Sequence, residues 1–128
     1  MKRHCLLDSS FVIDLFNEAA NGVPGAAYAW LARNRDKQFW ISPVTFAEVL
    51  EGADDPEEVR EHMQRYRWQG LHRAHAEIAA VLQRRSHSRM GENDAWQAAA
   101  ALHMDGCVVG HDPRAFSRLG DAYVDHRA

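Results

Sequence analysis

Short apolar runs alternate along this chain with longer segments that have helical periodicity. Three runs, at residues 5–7, 39–41 and 107–110, have the length and continuous hydrophobicity of buried strands. Weaker strand signals lie at residues 68–71 and 123–124. Strands that alternate with helices favour an α/β fold, here with a mainly parallel sheet of about five strands and helices on both faces.

Seven helices are predicted between these strands. Ser9 and Ser10 are good capping residues for the first helix, and Asn93 is a good cap for the sixth. Helical spacing carries the first helix to about Asn17. The predicted helices begin near Ser9, Pro24, Pro43, Pro56, Leu71, Asn93 and Pro113.

The composition fits one globular domain over residues 1–128. This length is close to the commonest domain size, and 46% of the residues are hydrophobic. No apolar stretch is long enough to span a membrane, and Asp8 and Asp14 interrupt the N-terminal run that could suggest a signal peptide. Cys5 and Cys107 are too few for a disulfide framework. We therefore expect a cytoplasmic protein.

Acidic residues fall at positions that indicate a site. Asp8 comes directly after the first predicted strand, and Asp112 lies just beyond the strand at residues 107–110. Asp94 falls in the first turn of the sixth helix, and Glu48 falls within the third. Because the carboxyl ends of parallel strands line one edge of a sheet, we expect these four carboxylates to converge there.

Such a cluster requires a counter-charge. Like charges held close together raise some of their pKa values and oppose folding. Mg²⁺ or Mn²⁺ relieves the repulsion, because both ions prefer carboxylate oxygen and water ligands and commonly bridge to phosphate. A bound cation can activate water for phosphoryl transfer, which fits a nuclease and a phosphatase equally well.

Each acid also has a simpler structural interpretation. Asp8 and Asp112 could cap the helices that follow them. Asp94 could complement a helix dipole, and Glu48 could be a solvated helix residue. Their joint placement favours a shared site over four separate structural roles.

Four segments resemble the motifs of PIN domains, and they occur in the same order. They are CLLDSSFVID at residues 5–14, VTFAEV at 44–49, GEND at 91–94 followed by AAAAL at 98–102, and VVGHD at 108–112 with Phe116. The compact length and the GEND segment are most similar to the VapC toxins.

This resemblance implies a three-layer α/β/α fold and cleavage of RNA that depends on Mg²⁺ or Mn²⁺. It implies a VapB-like antitoxin as partner and a homodimer. The acid cluster would be Asp8, Glu48, Asp94 and Asp112, which hold the metal directly or, for Glu48, through water. Ser10 would support the cluster with its hydroxyl, and Asn93 would lie beside it. Cys5 and Cys107 would lie close together as reduced thiols.

Two motifs depart from the family pattern. The fourth usually has Thr or Ser and then Asn before its acid, and these places hold Gly110 and His111. His111 could replace the Asn as a hydrogen-bonding group, so it is kept as a supporting residue. Gln97 stands where an aliphatic residue is usual, on the same helix face as Asp94.

A basic segment precedes the third motif. Arg84, Arg85 and Arg89 could contact the RNA backbone, or they could be a solvated helix end. The net charge of −3 argues against a broad surface for duplex nucleic acid but permits such a local patch.

Two other functions stay open at the level of sequence. One is a PIN-like module that binds RNA or protein but has lost turnover, which Gly110 and His111 keep in consideration. The other is a phosphohydrolase with Asp8 as nucleophile. The second is disfavoured because Ser10 stands where a second acid would be expected.

Overall fold

The computed structural model describes residues 2–128, which form five strands, seven α-helices and a 3-10 segment. The strands are β1 (His4–Leu7), β2 (Gln38–Ile41), β3 (Arg67–Trp68), β4 (Cys107–Gly110) and β5 (Tyr123–Asp125). The helices are α1 (Ser9–Asn21), α2 (Ala26–Arg33), α3 (Pro43–Glu51), α4 (Pro56–Met63), α5 (Arg73–Arg85), α6 (Glu92–His103) and α7 (Pro113–Phe116), and the 3-10 segment is Ser117–Ala122. No helix within the described residues is long and apolar enough to cross a membrane.

The strands form one sheet in the order β3-β2-β1-β4-β5. Every neighbouring pair is parallel, which confirms the α/β fold predicted from the sequence. β1 lies at the centre with β4 beside it, so that Cys5 is opposite Cys107. Their Sγ atoms are 3.9 Å apart and both are free thiols, as the family resemblance implied.

Successive strand residues contribute to two cores, one on each face of the sheet. In β1, Cys5 and Leu7 pack with α1 to α4, whereas Leu6 packs with α5 to α7. Side chains alternate between the two faces of a strand, and here helices cover both faces. This is why residues 5–7 of β1 and residues 107–109 of β4 are apolar at every position, and it gives the three-layer fold.

Two helix caps differ from the sequence prediction. Asp8, rather than Ser9 or Ser10, caps α1, and its carboxylate accepts a hydrogen bond from the Ser10 N–H at 3.2 Å. α6 begins at Glu92, so Asn93 lies inside its first turn and does not cap it. Capping preference alone does not decide which of several adjacent polar residues takes the extended backbone of a cap.

Several element boundaries also differ. α1 continues to Asn21 instead of ending near Asn17, and Gly22 ends it in the left-handed conformation at a φ of 68°. α2 begins at Ala26 instead of Pro24, and α5 begins at Arg73 instead of Leu71. β3 spans Arg67–Trp68 instead of residues 68–71. For α2 the cause is distant in sequence, because the carboxylate of Glu18 accepts backbone hydrogen bonds from the residues at its start.

A buried chain of hydrogen bonds links β1, α3 and α6. The amide of Gln97, which is fully buried, donates to the Thr45 hydroxyl at 2.6 Å, and Thr45 donates to the carbonyl of Leu7 at 2.7 Å. The Gln97 carbonyl oxygen accepts from the hydroxyl of Ser42. Gln97, which stands where the family usually has an aliphatic residue, therefore connects α6 to α3 and, through Thr45, to β1.

We predict that Gln97→Met lowers the free energy of unfolding by about 1–3 kcal/mol, because the buried hydroxyls of Ser42 and Thr45 lose their partner. Urea denaturation measures the change. Gln64→Met is the matched control, since Gln64 is exposed and should change stability by less than about 0.5 kcal/mol. Equal stability of both variants would contradict a structural role for the buried amide.

Candidate active site

The two acids that follow central strands lie at the same edge of the sheet. Asp8 follows β1, and Asp112 follows β4, where its Oδ1 accepts a hydrogen bond from the N–H of Ala115 at 3.2 Å. Because β1 and β4 are adjacent and parallel, both acids lie at the carboxyl end of this strand pair. Both acids cap helices, yet Oδ1 of Asp8 and Oδ2 of Asp112 have no hydrogen-bond partner within residues 2–128.

Ser10 connects the two strand ends. Its hydroxyl donates to Oδ2 of Asp8 at 2.7 Å and accepts from the backbone N–H of His111 at 2.9 Å. A Cβ at Gly110 would lie 2.7 Å from both the Cβ of Asp8 and the Oγ of Ser10. Glycine therefore leaves the space in which the Ser10 hydroxyl meets Asp8.

The negative charges of the strand-end acids act on the two acids that the helices contribute. Asp8 and Asp112 act on Asp94, and Asp8 also acts on Glu48. Burial is the largest cause that raises the pKa of Asp94 to about 6. The negative charges of Asp112, Asp8 and Glu48 raise it further, and the Arg118 guanidinium opposes them. The charges of the other three acids named from the sequence thus act on Asp94, and the role of all four as a catalytic cluster stays a prediction.

Glu48 is the half-buried acid that α3 contributes to this place. Burial raises its pKa, and the charge of Asp8 adds to the increase. The polar side chains of Ser9 and Asn93 lower the pKa of Glu48 and so oppose this increase. The role of Asn93 beside the cluster stays a prediction. Asn93 is itself exposed.

Two side chains of β5 hold the turn after β4, and sequence reasoning missed both. The hydroxyl of Tyr123 accepts from the Asp112 N–H at 3.1 Å and donates to the carbonyl of Gly110 at 3.3 Å. Asp125 accepts from Nδ1 of His111 at 3.0 Å. Only the parallel pairing of β4 with β5 brings these residues to the site, and no local pattern indicates it.

The arginines predicted to contact RNA do not form one group. Arg89 is paired with Glu92 at 2.8 Å, and Arg84 is exposed on α5. Arg85 lines a small pocket that also contains Arg114 and Arg118, neither of which was singled out from the sequence. A contact with RNA at Arg84, Arg85 or Arg89 therefore stays a prediction.

The free donor atoms of the cluster have the chemistry that a hard divalent cation requires. They are carboxylate oxygens, which Mg²⁺ and Mn²⁺ prefer, and the carboxylate of Asp94 forms no hydrogen bond within residues 2–128. No three His, Cys, Asp or Glu side chains in that range form a ready-made ion site.

Comparison with known proteins gives a family and a fold. The family model for the PIN domain matches residues 5–122. A comparison with curated protein sequences found no significant match.

Several solved structures share the fold at low sequence identity. A toxin–antitoxin complex from Klebsiella pneumoniae has a TM-score of 0.72 and 20% identity, with 95% of this chain and 97% of that chain covered. VapBC-1 from nontypeable Haemophilus influenzae has a TM-score of 0.68 and 17% identity, with 98% and 99% covered. FitAcB from Neisseria gonorrhoeae has a TM-score of 0.72 and 19% identity, with 95% and 97% covered.

We predict that Asp94→Asn stabilises the metal-free protein at pH 7 by on the order of 1–2 kcal/mol, after allowance for partial exposure. Folding raises the pKa of this acid to about 6, so the folded state binds more protons than the unfolded state between pH of about 4 and 6. The free energy of unfolding of the wild type therefore falls as the pH rises through that interval. Asp94→Asn has no carboxyl to deprotonate at this position, so it does not undergo this decrease.

Thermal unfolding in EDTA at a series of pH values checks this. The control is Asp54→Asn in the turn between α3 and α4, where the acid is exposed. If Asp94→Asn and the wild type lose stability equally between pH 4 and 7, the clustered charges do not act as described.

Proposed function

The chain belongs to the PIN domain family, and from this membership we propose that it is a VapC-like toxin, a metal-dependent endoribonuclease of a toxin–antitoxin pair. One observation carries the proposal: Asp8 and Asp112 follow the adjacent parallel strands β1 and β4, and their negative charges, with that of Glu48, raise the pKa of Asp94. That arrangement is costly without a cation, so a stabilising role in the fold does not explain it.

The residues divide into holding and positioning groups. Asp8, Asp94 and Asp112 would hold Mg²⁺ or Mn²⁺ directly, and Glu48 would orient the attacking water. When bound, the cation makes water a better nucleophile and neutralises charge on the phosphate. Ser10 fixes one oxygen of Asp8, which leaves the other oxygen free, and Tyr123 fixes the turn that carries Asp112.

Two features favour an endoribonuclease over the alternatives. An aspartyl-phosphate mechanism needs a second acid near Asp8, and the residue two places on is Ser10, which is bound to Asp8. A module without turnover has no need of four clustered acids.

The free thiols agree with the cytoplasmic location expected from the sequence, because disulfides are rare in that compartment.

The proposed antitoxin has a suitable binding surface on the face formed by α1, α2 and α4. An apolar groove of about 780 Å³ lies there, and its apolar lining includes Leu15, Phe16, Val23, Tyr28, Leu31 and Tyr66. Val23 and Tyr28 are 64% and 53% exposed. Its charged lining residues are Glu18, Glu58, Glu61 and Arg65. The groove therefore fits an amphipathic antitoxin segment with an apolar face.

The resemblance to VapC toxins also implies a homodimer, which is part of the proposal. Light scattering after size-exclusion chromatography measures the oligomeric state directly.

We predict that purified, partner-free protein cleaves a mixed RNA pool in Mg²⁺ or Mn²⁺ and that Asp8→Asn slows cleavage by on the order of 100- to 1000-fold. Loss of a metal ligand removes several kcal/mol of transition-state stabilisation. Asn keeps the cap on α1, so the variant should fold. Since water is the nucleophile, the products should lack a 2′,3′-cyclic phosphate.

EDTA and Asp54→Asn are the controls for this experiment. Cleavage that persists in EDTA, or equally in Asp8→Asn, would contradict the proposed chemistry. A phosphorylated Asp8 would identify the phosphohydrolase instead. RNA binding without cleavage on any RNA of the pool would favour the module that has lost turnover.

We also predict that the double variant Val23→Asp, Tyr28→Asp weakens binding of the purified cognate antitoxin by at least about 10-fold, because charge is placed in the centre of an apolar interface. Isothermal titration calorimetry measures the affinity. Val81→Asp on α5 is the matched control, since Val81 is 41% exposed on the other face of the sheet. Equal affinity of all three proteins would place the antitoxin elsewhere.

A further inference from the structure

A second, smaller pocket has a wholly basic set of ionisable residues. Its volume is about 390 Å³, and it is lined by Leu82, Arg85, Ser86, His87, Ser88, Arg114 and Arg118. No acidic side chain is among the lining residues, although the chain as a whole carries a net charge of −3. Four basic residues are therefore gathered in a pocket without a lining acid.

The arginines of this pocket are available to a ligand. Arg85 and Arg114 form no ion pair within residues 2–128, and Arg118 donates to the backbone carbonyl of Ser88 at 2.8 Å. Arg89, only four residues from Arg85, is by contrast neutralised by Glu92. Clustered cations without counter-charges repel one another, and a bound anion relieves that repulsion.

The pocket adjoins the acid cluster. Arg114 lies two residues after Asp112 in α7, and the positive charge of Arg118 reaches Asp94. Ser88 belongs to the segment that leads into α6, whose first turn contains Asp94. A chain of nucleotides that places one phosphate at the acids therefore passes close to these arginines.

The lining also indicates which part of a nucleotide is recognised. It contains no Phe, Tyr or Trp on which a base could stack, and its polar groups are guanidinium, imidazole and hydroxyl donors. Such groups bind phosphate oxygens and do not read the bases. The apolar groove lies on the α1 to α4 face, whereas this pocket lies among α5, α7 and the 3-10 segment, so the two surfaces can serve different partners.

We propose that the pocket formed by Arg85, His87, Arg114 and Arg118 binds a backbone phosphate of single-stranded RNA adjacent to the phosphate that is cleaved. This proposal rests on the proposed ribonuclease function. It assigns the pocket to holding the RNA in position, independently of base sequence.

The test is the affinity of a fluorescein-labelled single-stranded RNA 12-mer of mixed sequence, measured by fluorescence anisotropy in EDTA so that no cleavage occurs. We expect Arg85→Gln and Arg114→Gln each to weaken binding by about 3- to 10-fold, since each removes a charge-assisted hydrogen bond to phosphate. Each substitution should also make the slope of log affinity against log salt shallower by about 0.7, because one phosphate is no longer neutralised. Arg118 is kept intact because it faces Asp94.

Arg73→Gln is the matched control. Arg73 is exposed at the opposite end of α5 from Arg85, where it pairs with Glu77 at 3.6 Å. The control should leave both affinity and salt slope unchanged, whereas a decrease equal to that of Arg85→Gln would reduce the effect to overall charge. Matching thermal unfolding midpoints would show that all variants are folded.

The outcomes separate this proposal from the ribonuclease function. If wild-type protein cleaves RNA and the Arg85→Gln, Arg114→Gln double variant binds RNA as tightly as wild type, the phosphate pocket is wrong and the nuclease stands. If the double variant binds RNA weakly but the wild type does not cleave, the pocket stands and the nuclease fails. If the double variant loses antitoxin affinity and keeps RNA affinity, the pocket belongs to the protein partner.

Discussion

One buried amide connects the elements that carry or precede three of the four acids. Gln97 joins α6 to α3 through Ser42 and Thr45, and Thr45 continues the chain to the carbonyl of Leu7. In each of these elements, an acid lies close to the residue that takes part in the hydrogen-bond network. Asp8 follows Leu7, Glu48 lies one helical turn after Thr45, and Asp94 lies one turn before Gln97. Buried polar groups must keep their partners, so the network holds fixed the spacing of groups that would otherwise repel one another.

Three surfaces of the molecule differ in charge, and the proposed function gives each of them a different role. The edge of the sheet carries acids, the pocket beside α5 and α7 carries arginines, and the groove among α1, α2 and α4 is apolar with an acidic border. Arg118 stands between the first two surfaces. A phosphodiester backbone carries a charge at every nucleotide, so it needs a cation at the cleaved phosphate and positive side chains at its neighbours. In the proposed function, the acids would attract the cation and the arginines would hold the strand.

The sequence allowed the strands and strand-end acids to be predicted because their signals are local. An apolar run followed by an acid places Asp8 and Asp112 without knowledge of the fold. Long-range features were not predictable in this way. Tyr123 and Asp125 reach the site only through the pairing of β4 with β5. Arg85 and Arg114 line the same pocket although they belong to different helices. Glu18 moves the start of α2 by binding backbone groups seven to ten residues away. Secondary-structure preference contains none of these long-range interactions.

The departures from the family motifs are consistent with one another in three dimensions. Gly110 lacks a hydroxyl, yet the hydroxyl of Ser10 lies where a side chain at that position would collide, and it is bound to Asp8. The backbone of His111 completes the hydrogen bonding of Ser10, and Asp125 fixes its ring. Gln97 replaces apolar packing with satisfied hydrogen bonds between the elements that carry the acids. A decayed site would leave missing groups unreplaced, whereas each departure here has a partner that maintains the cluster. Gly110 and His111 therefore give little support to a module without turnover.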